Sequence, residues 1–432
     1  MEARAPRGTT DILPEEARLW QKIEATVREV MRAYGYGEIR TPVFEYTELF
    51  LRGVGETTDI VEKQMYTFED QGGRSLTLRP EGTAPVVRAF VQHRLDGRAL
   101  PQKLWYAQPM FRYERPQAGR GRQFHQFGAE AIGTLDPACD VEMIAIPLEI
   151  YRRLGIQRFE VLVNSIGCEV CRPAYRAELK AWLAGRLDQL CPTCRSRYER
   201  NPLRVLDCKE ERCRQATEGA PAPLDHLCDE CSRHLEHVTV LLRALGIEYR
   251  MDPRLVRGLD YYTKTVFEIV TDVLGAQGTL AAGGRYDGLT AAVGGKRFPA
   301  VGFAGGMERA VLALRAAGLD EAAHLDAPDV FLVCLGKEAR IEGVKIAHRL
   351  RREDIASALD YSDEFDQARS MRAQMKAAGR LGARLALILG DDELARGVAS
   401  IKRLSDGEQW EVSLDGVIPA VKEQLGGGGG PF

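Results

Sequence analysis

The chain has 432 residues, of which 45% are hydrophobic and 28% charged, with a formal net charge of -3. That length points to two or three domains, and the near-neutral charge excludes global electrostatic capture of nucleic acid, so any such contact has to come from local basic patches. The charged N-terminus MEARAPRGTTDILPEE lacks the apolar core of a signal peptide, and no stretch is long and apolar enough to span a bilayer, so a cytoplasmic location without membrane contact is expected.

The first predicted element is a helix. Pro14 leads in, Leu19, Ile23, Val27, Val30 and Tyr34 recur at helical spacing, and Gly35 and Gly37 stop it. Glu38 to Phe44 reads as a strand, with Pro42 placing it at an edge or a kink. Gln64–Phe68 and Ser75–Leu78 flank Glu69-Asp70-Gln71-Gly72-Gly73, a hairpin signal. Glu81–Phe90 reads as a helix. Leu104–Tyr113 and Phe124–Ile132 read as a second hairpin with a long basic loop. Glu142–Leu154 is a predicted helix and Phe159–Val163 a strand.

From Cys168 to Leu245 the character changes to helical and cysteine-rich, as in an inserted module. Strand character returns at Thr265–Val270 and Gly278–Ala282, and a helix follows from Gly306 to Arg315. A polar linker runs from Ala316 to Pro328. Strands and helices then alternate over Val330–Leu335, Ile341–Arg352, Ala356–Leu359, Phe365–Ala378 and Leu385–Leu389, the order of a small α/β domain. The glycine-rich tail 426–432 reads as disordered.

The second hairpin carries the first chemistry. Arg112 sits at a strand end, with Arg115, Arg120 and Arg122 in the loop. The far strand puts Phe124, Gln126, Gly128 and Glu130 on one face. Guanidinium forks suit a polyphosphate, an aromatic beside them suits a base, and Gln126 and Glu130 suit a cationic second substrate. The bland reading is a solvated arginine-rich hairpin. Gly302-Phe303-Ala304-Gly305-Gly306-Met307-Glu308-Arg309 reads as glycines before a helix, whose N-terminus can hold an anion with Arg309 in its first turn. Gly53-Val54-Gly55 lacks a following Gly-Lys-Ser/Thr and is set aside as a phosphate loop.

Together these segments resemble the three signature motifs of class II aminoacyl-tRNA synthetases: a helix and strand ending near Pro42, an arginine-bearing hairpin, and a glycine-to-arginine helix start. Leu255-Val256-Arg257-Gly258-Leu259-Asp260-Tyr261-Tyr262 and Ala282-Gly283-Gly284-Arg285-Tyr286-Asp287-Gly288-Leu289 look like two peptides peculiar to the histidyl-tRNA synthetase family. Arg7-Gly8-Thr9-Thr10-Asp11 and Leu78-Arg79-Pro80-Glu81-Gly82-Thr83 fit the same family.

The resemblance implies an ATP-dependent ligase that activates histidine as its adenylate and transfers it to the 3′ end of tRNA, with magnesium accompanying ATP. It implies that Arg112 binds the α-phosphate, Arg309 the γ-phosphate, and that Arg257 stabilises charge building on the α-phosphate. Phe124 would stack on adenine with Glu114 near its amino edge. Glu81, Thr83 and Gln126 would hold the α-ammonium and orient the carboxylate. Glu130 and Tyr262 would read the imidazole, with Tyr261 and Tyr286 walling the pocket. Such hydrogen-bonded selection discriminates by roughly 10⁴–10⁵, so no editing domain is expected.

The implied architecture is an α+β catalytic domain with an antiparallel sheet over 1–167 and 246–320. A cysteine-rich helical insertion over 168–245 lies above the tRNA acceptor end in that family. An α/β anticodon-binding domain spans 328–425, and the assembly is a homodimer. Arg4, Arg7 and Arg120 are candidate tRNA contacts. The alternatives are a non-catalytic synthetase paralogue that regulates ATP phosphoribosyltransferase, a class II synthetase for another amino acid, and a non-enzymatic tRNA-binding protein. The first of these usually lacks the anticodon domain and departs from the Arg257 peptide.

Eight of ten cysteines fall between Cys168 and Cys231. Taken in chain order, Cys168/Cys171 with Cys191/Cys194 form one set, and Cys208/Cys213 with Cys228/Cys231 a second. Two closed tetrahedral thiolate sites would use all eight for structural zinc. The alternative is reduced thiols packed in a helical insert, and which cysteines pair stays open.

Overall fold

The computed structural model describes residues 3–55, 58–275, 278–320, 327–361 and 368–426. The chain divides into two compact units, Met1–Glu321 and Ala322–Phe432.

The first unit opens with α1 (Pro14–Ala33), which starts on a proline, carries Glu15 and Glu16 in its first turn, and buries Leu19, Ile23, Val27 and Val30. Gly35 ends it at φ +77°, a left-handed geometry that favours glycine. The strand expected over Glu38–Phe44 splits around Pro42 into β1 (Gly37–Glu38) and β2 (Phe44–Tyr46), because proline cannot donate to a ladder. After α2 (Thr47–Val54), the first hairpin stands as β3 (Tyr66–Glu69) and β4 (Ser75–Leu78), with β2 on the far side of β4.

Then come α3 (Thr83–Gln92), the long hairpin β5 (Gln102–Phe111) and β6 (Gln123–Ile132), α4 (Pro137–Arg153) and β7 (Glu160–Ser165). The cysteine-rich stretch supplies α5 (Arg172–Ala184), α6 (Pro192–Arg200), α7 (Glu211–Ala216) and α8 (Asp229–Ala244). The unit closes with β8 (Arg250–Met251), β9 (Thr263–Val270), β10 (Thr279–Arg285), α9 (Leu289–Ala292), β11 (Ala300–Gly306) and α10 (Met307–Ala316).

The large sheet has the order β1-β5-β6-β11-β10-β9-β7-β8, antiparallel except for the two short edge pairings. Alternation along β6 sets up the site. Phe127, Ala129 and Ala131 join the core formed with α1, α4 and α10, while Phe124, Gln126, Gly128 and Glu130 point the other way.

Gly302 to Gly306 differ from expectation. They are strand residues of β11, not a loop before a helix. A Cβ on Gly302 would lie 1.8 Å from Glu130 Oε2, and one on Gly305 would lie 2.4 Å from the Phe127 ring. These glycines make room for neighbouring side chains, and β11 still delivers α10 directly. Gly283 and Gly284 lie near the end of β10, with a register shift between Gly284 and Arg285 that marks a bulge or irregularity.

The cysteine-rich stretch does not separate from the first unit. Its Tyr175, Leu179, Leu183 and Leu203 share one apolar cluster with Leu162, Val256, Tyr262 and Val266 of the sheet and its loops.

The second unit contains β12 (Val330–Cys334), α11 (Lys337–Arg352), β13 (Ser357–Leu359), α12 (Met371–Arg380), β14 (Leu385–Leu389), α13 (Asp391–Ala395), β15 (Val398–Arg403), β16 (Gln409–Ser413) and α14 (Val417–Gly426). Its sheet runs β13-β12-β14-β15-β16, parallel at first and antiparallel at the end. Residues 362–367, which include the first three of the expected Phe365–Ala378 helix, part of the linker and the tail 427–432 lie outside the described residues.

Candidate active site and two thiol quartets

A cavity of about 270 Å³ opens on the face of the large sheet away from the main core. It brings together Arg112, Arg257 and Arg309, which are far apart in sequence. Arg112 follows the last residue of β5, Arg309 sits in the first turn of α10, and Arg257 comes from the segment before β9. Glu81, Thr83, Glu114, Phe124, Gln126, Tyr261 and Tyr262 also line it.

The arginines are anchored, yet each keeps donors to spare. Arg112 Nε donates to the Pro80 carbonyl at 2.8 Å, and its guanidinium lies 5.2 Å from the Phe124 ring centre. Arg309 donates to the Thr279 carbonyl. Arg257 donates to Glu268 at 2.5 Å, while its buried Nε–H meets no protein acceptor. Burial pulls Arg112 and Arg309 below the ordinary arginine value, but a guanidinium with so high a starting value stays cationic at neutral pH. An anion entering the cavity meets three fixed positive groups.

The acidic side of the cavity is equally prepared. Glu81 is buried and accepts from the Thr83 and Ala84 amides at 2.8 and 2.7 Å, which caps α3. Each oxygen retains a lone pair for a further donor. The buried amide oxygen of Gln126 has no protein donor. An ammonium group would satisfy both.

Glu130 and Tyr286 lie behind the cavity wall instead of lining it. Glu130 is fully buried, and its oxygens are met by the hydroxyls of Thr83 (2.7 Å), Tyr286 and, at a long 3.4 Å, Tyr106. Thr83 therefore spends its hydroxyl on Glu130 and not on a ligand. Burial pushes the Glu130 carboxyl up to about 8, against the opposing pull of the Tyr286 and Thr83 hydroxyls. Tyr261 bridges the wall, its ring centre 4.7 Å from Tyr262 and 5.5 Å from Tyr286.

Two lining residues escaped the sequence reading. Tyr106 pairs with Gly128 across the hairpin and shares its strand parity with Arg112. A Cβ on Gly82 or Gly128 would collide with its ring at 2.3 or 2.6 Å, so both glycines exist to admit it. The alternation that identified Phe124 and Gln126 on β6 could have identified Tyr106 on β5. Glu268, on β9, is the counter-charge of Arg257. Arg285, from the second family-like peptide, is fully buried against Asp140 and has no place in the cavity.

The cysteines form two quartets, but not in chain order. Cys168, Cys171, Cys228 and Cys231 make one, and Cys191, Cys194, Cys208 and Cys213 the other; the thiol sulfurs of each lie within 4.8 Å of one another. The arrangement is nested because Cys168 lies just beyond β7, where the chain leaves the sheet, and Cys228 N-caps α8, by which it returns. Sulfurs 3.6 and 3.9 Å apart are too far for disulfides and match the edge of about 3.8 Å of a tetrahedron with zinc–sulfur bonds of about 2.3 Å. The Cys228 and Cys191 amides donate to Cys171 and Cys213 sulfurs at 3.1 Å, which suits thiolates. Burial opposes ionisation of Cys168, but the Cys171 and Val170 amides and neighbouring thiols outweigh it and bring it to about 7.

Known proteins resemble both units of the chain. The family model described as histidyl-tRNA synthetase matches residues 8–310, and one described as an anticodon binding domain matches residues 329–424. The histidine–tRNA ligase of Moorella thermoacetica is 55% identical over 96% of both chains. That of Halothermothrix orenii is 52% identical over 98% of this chain and all of its own. The crystal structure of the apo S. aureus histidyl-tRNA synthetase superposes with a TM-score of 0.81 at 38% identity, covering 98% of this chain and 100% of that one. With a family model spanning most of its length and relatives this close end to end, the chain belongs to the histidyl-tRNA synthetase family.

Proposed function

We propose that this chain is an ATP-dependent histidine–tRNA ligase, and that the cavity described above performs its activation step. The observation that carries the reading is three anchored guanidiniums on one cavity whose acidic side offers an ammonium the unsatisfied amide oxygen of Gln126 and the Glu81 carboxylate. In the first step a carboxylate oxygen of histidine attacks the α-phosphorus of ATP. A P–O bond forms, the α–β anhydride bond breaks, and pyrophosphate leaves. In the second, a ribose hydroxyl at the 3′ end of tRNA attacks the carbonyl carbon. The ester bond forms, AMP departs with the electron pair, and the hydroxyl proton passes to a phosphate oxygen.

Arg112 and Arg257 hold the α-phosphate and Arg309 the γ-phosphate. Phe124 and Glu114 take the adenine. Glu81 and Gln126 fix the α-ammonium and so the line of attack. Thr83 holds Glu130 in place. The imidazole N–H replaces the long Tyr106 contact to Glu130 while Tyr262 meets the other ring nitrogen, and Tyr261 and Tyr286 keep the wall closed. Magnesium, entering with ATP, would neutralise phosphate charge; Glu114 and Glu268, each with about a fifth of the side chain exposed, are the carboxylates that would hold its hydration shell.

The domain from Pro328 onward binds the anticodon stem, a reading supported by the family match there. The exposed Phe44, Tyr46 and Phe68 of the small sheet support a homodimer. No helix among the described residues is long and apolar enough to cross a membrane, which fits a cytoplasmic enzyme. The nested quartets fit structural zinc, and no chemical step passes through them. The regulatory paralogue is not favoured, since Arg112, Arg257 and Arg309 share one cavity and the anticodon-binding match is present.

ATP–pyrophosphate exchange across the twenty amino acids tests the reading: only histidine should support it, and exchange with a different amino acid in its place would overturn it. Glu130→Gln should raise KM for histidine roughly 10- to 100-fold, the cost of leaving one buried hydrogen-bonding group mismatched, with KM for ATP little changed. The same variant has a pH signature. Glu130 is raised in the folded state, so its contribution to stability is full below the ordinary carboxylate value and is lost as pH rises towards about 8. The variant lacks that loss. Its Tm relative to wild type should climb between pH 5 and pH 8 and then level off.

A further inference from the structure

Tyr262 and Glu130, the two groups assigned to the imidazole, both trace back to one thiol quartet. Cys168, Cys171, Cys228 and Cys231 sit where the chain leaves the sheet beyond β7 and where α8 brings it back.

Tyr262 is held by residues that flank these cysteines. Arg172, which follows Cys171 and opens α5, donates to the Tyr262 carbonyl. Lys264, just beyond Tyr262, has φ +49°, a left-handed backbone that a residue other than glycine keeps only where its surroundings impose it. Three bonds impose it. Its amide donates to the Gly167 carbonyl at 2.8 Å, its carbonyl accepts from the Ile166 amide at 2.9 Å, and its buried ammonium donates to Glu230 at 2.5 Å. Gly167 directly precedes Cys168, and Glu230 lies between Cys228 and Cys231.

Glu130 is reached by a second route. His234, one turn beyond Cys231 on α8, meets buried Asp140 at 3.1 Å, and Asp140 is the counter-charge of buried Arg285. The ladder register shifts between Gly284 and Arg285, so strand pairing alone does not aim the next residue, Tyr286. Arg285 is also tied to the Thr134 carbonyl at 2.8 Å and to Asp287 at 3.4 Å, which fixes the backbone on both sides of Tyr286, and the Tyr286 hydroxyl donates to Glu130. A buried ion network adds little stability by itself; what it supplies here is a fixed position for Tyr286.

The two quartets differ in access. Cys168 and Cys228 are half-buried and Val170 beside them is exposed, whereas Cys191, Cys194, Cys208 and Cys213 are all buried. An ion in the first quartet can exchange with solvent while one in the second stays enclosed.

We propose that the quartet of Cys168, Cys171, Cys228 and Cys231 is a zinc site coupled to the histidine pocket: with the ion held, Tyr262 and Glu130 stand in their reading positions, and bound histidine in turn tightens the hold on zinc. Such coupling is reciprocal by thermodynamic necessity. The inference rests on the ligase and zinc readings and adds regulation of the pocket by the metal. Arg172, Lys264 and Arg285 are its positioning residues.

Full-length protein carrying its zinc is equilibrated with graded amounts of a competing chelator, with and without saturating histidine, and the zinc retained is measured. D-Histidine, which chelates zinc equally in solution, is the control. Calorimetry gives the affinities for histidine and ATP in wild type and Cys228→Ser. The first ion to leave should be held roughly tenfold more tightly when histidine is bound, within the usual range of such couplings. Cys228→Ser should keep about one zinc ion and bind histidine more weakly by the same factor, with ATP affinity within about twofold. Lys264→Met should keep both ions yet show a smaller effect of histidine on zinc. A histidine effect on zinc below about twofold in wild type would overturn the proposal, whether or not Cys228→Ser folds. Equal losses of histidine and ATP affinity in Cys228→Ser, the mark of a merely structural site, would overturn it too, as would an undiminished effect in Lys264→Met. Wild type that holds fewer than one zinc, or binds no histidine, would refute the zinc or the ligase reading and the coupling with it.

Discussion

Arg257→Ala should slow histidine-dependent ATP–pyrophosphate exchange by roughly 10²–10³, the loss expected when one donor aimed at developing transition-state charge is removed. Its guanidinium is fixed by Glu268 at 2.5 Å, and the side chain is only 18% exposed. It needs no reorganisation when charge builds on the α-phosphate, which is why its effect should appear in kcat and not in KM for histidine. The variant also leaves Glu268 without its cation, but that carboxylate keeps solvent contact, so the fold should tolerate the change. Exchange near the wild-type rate would remove Arg257 from the reaction. A rise in KM for histidine with kcat intact would recast it as a ground-state contact.

Cys194→Ser should lower the zinc content from two ions per chain to about one and make the cysteine-rich region the first part of the chain to unfold. Cys194 is fully buried and its quartet lies inside the loop closed by the other quartet. Loss of a closed thiolate site removes much of what orders such a stretch, and a destabilisation above about 4 kcal/mol belongs to this class of change. Elemental analysis and limited proteolysis between Leu187 and Ala216 read the two effects. Fewer than one zinc per wild-type chain would rule the metal out.

Where periodicity was strong, the sequence and the structure agree. The helix through Leu19, Ile23, Val27 and Val30 and both hairpins stand within a few residues of expectation. Strand β11 was not legible because Gly302, Gly305 and Gly306 carry no side chains to alternate, and their purpose, room for Glu130 and Phe127, is visible only in three dimensions. Strands β15 and β16 and helix α14 were not anticipated. The candidate arginines were legible from spacing and family likeness together. The burial of Glu130 behind Tyr106 and Thr83 was not, because alternation gives the face of a side chain and not the depth of the layer it reaches. The two quartets were legible as a number but not in their membership: the chain-order grouping does not hold, because a nested pairing depends on where the chain leaves and rejoins the sheet.

The most direct test of the central claim is a structure of the protein with histidine and a non-hydrolysable ATP analogue. Arg112 and Arg257 are expected on the α-phosphate, Arg309 on the γ-phosphate, and the imidazole between Glu130 and Tyr262. A triphosphate bound away from these guanidiniums, or an imidazole that leaves Glu130 bonded only to its own tyrosines and Thr83, would contradict it.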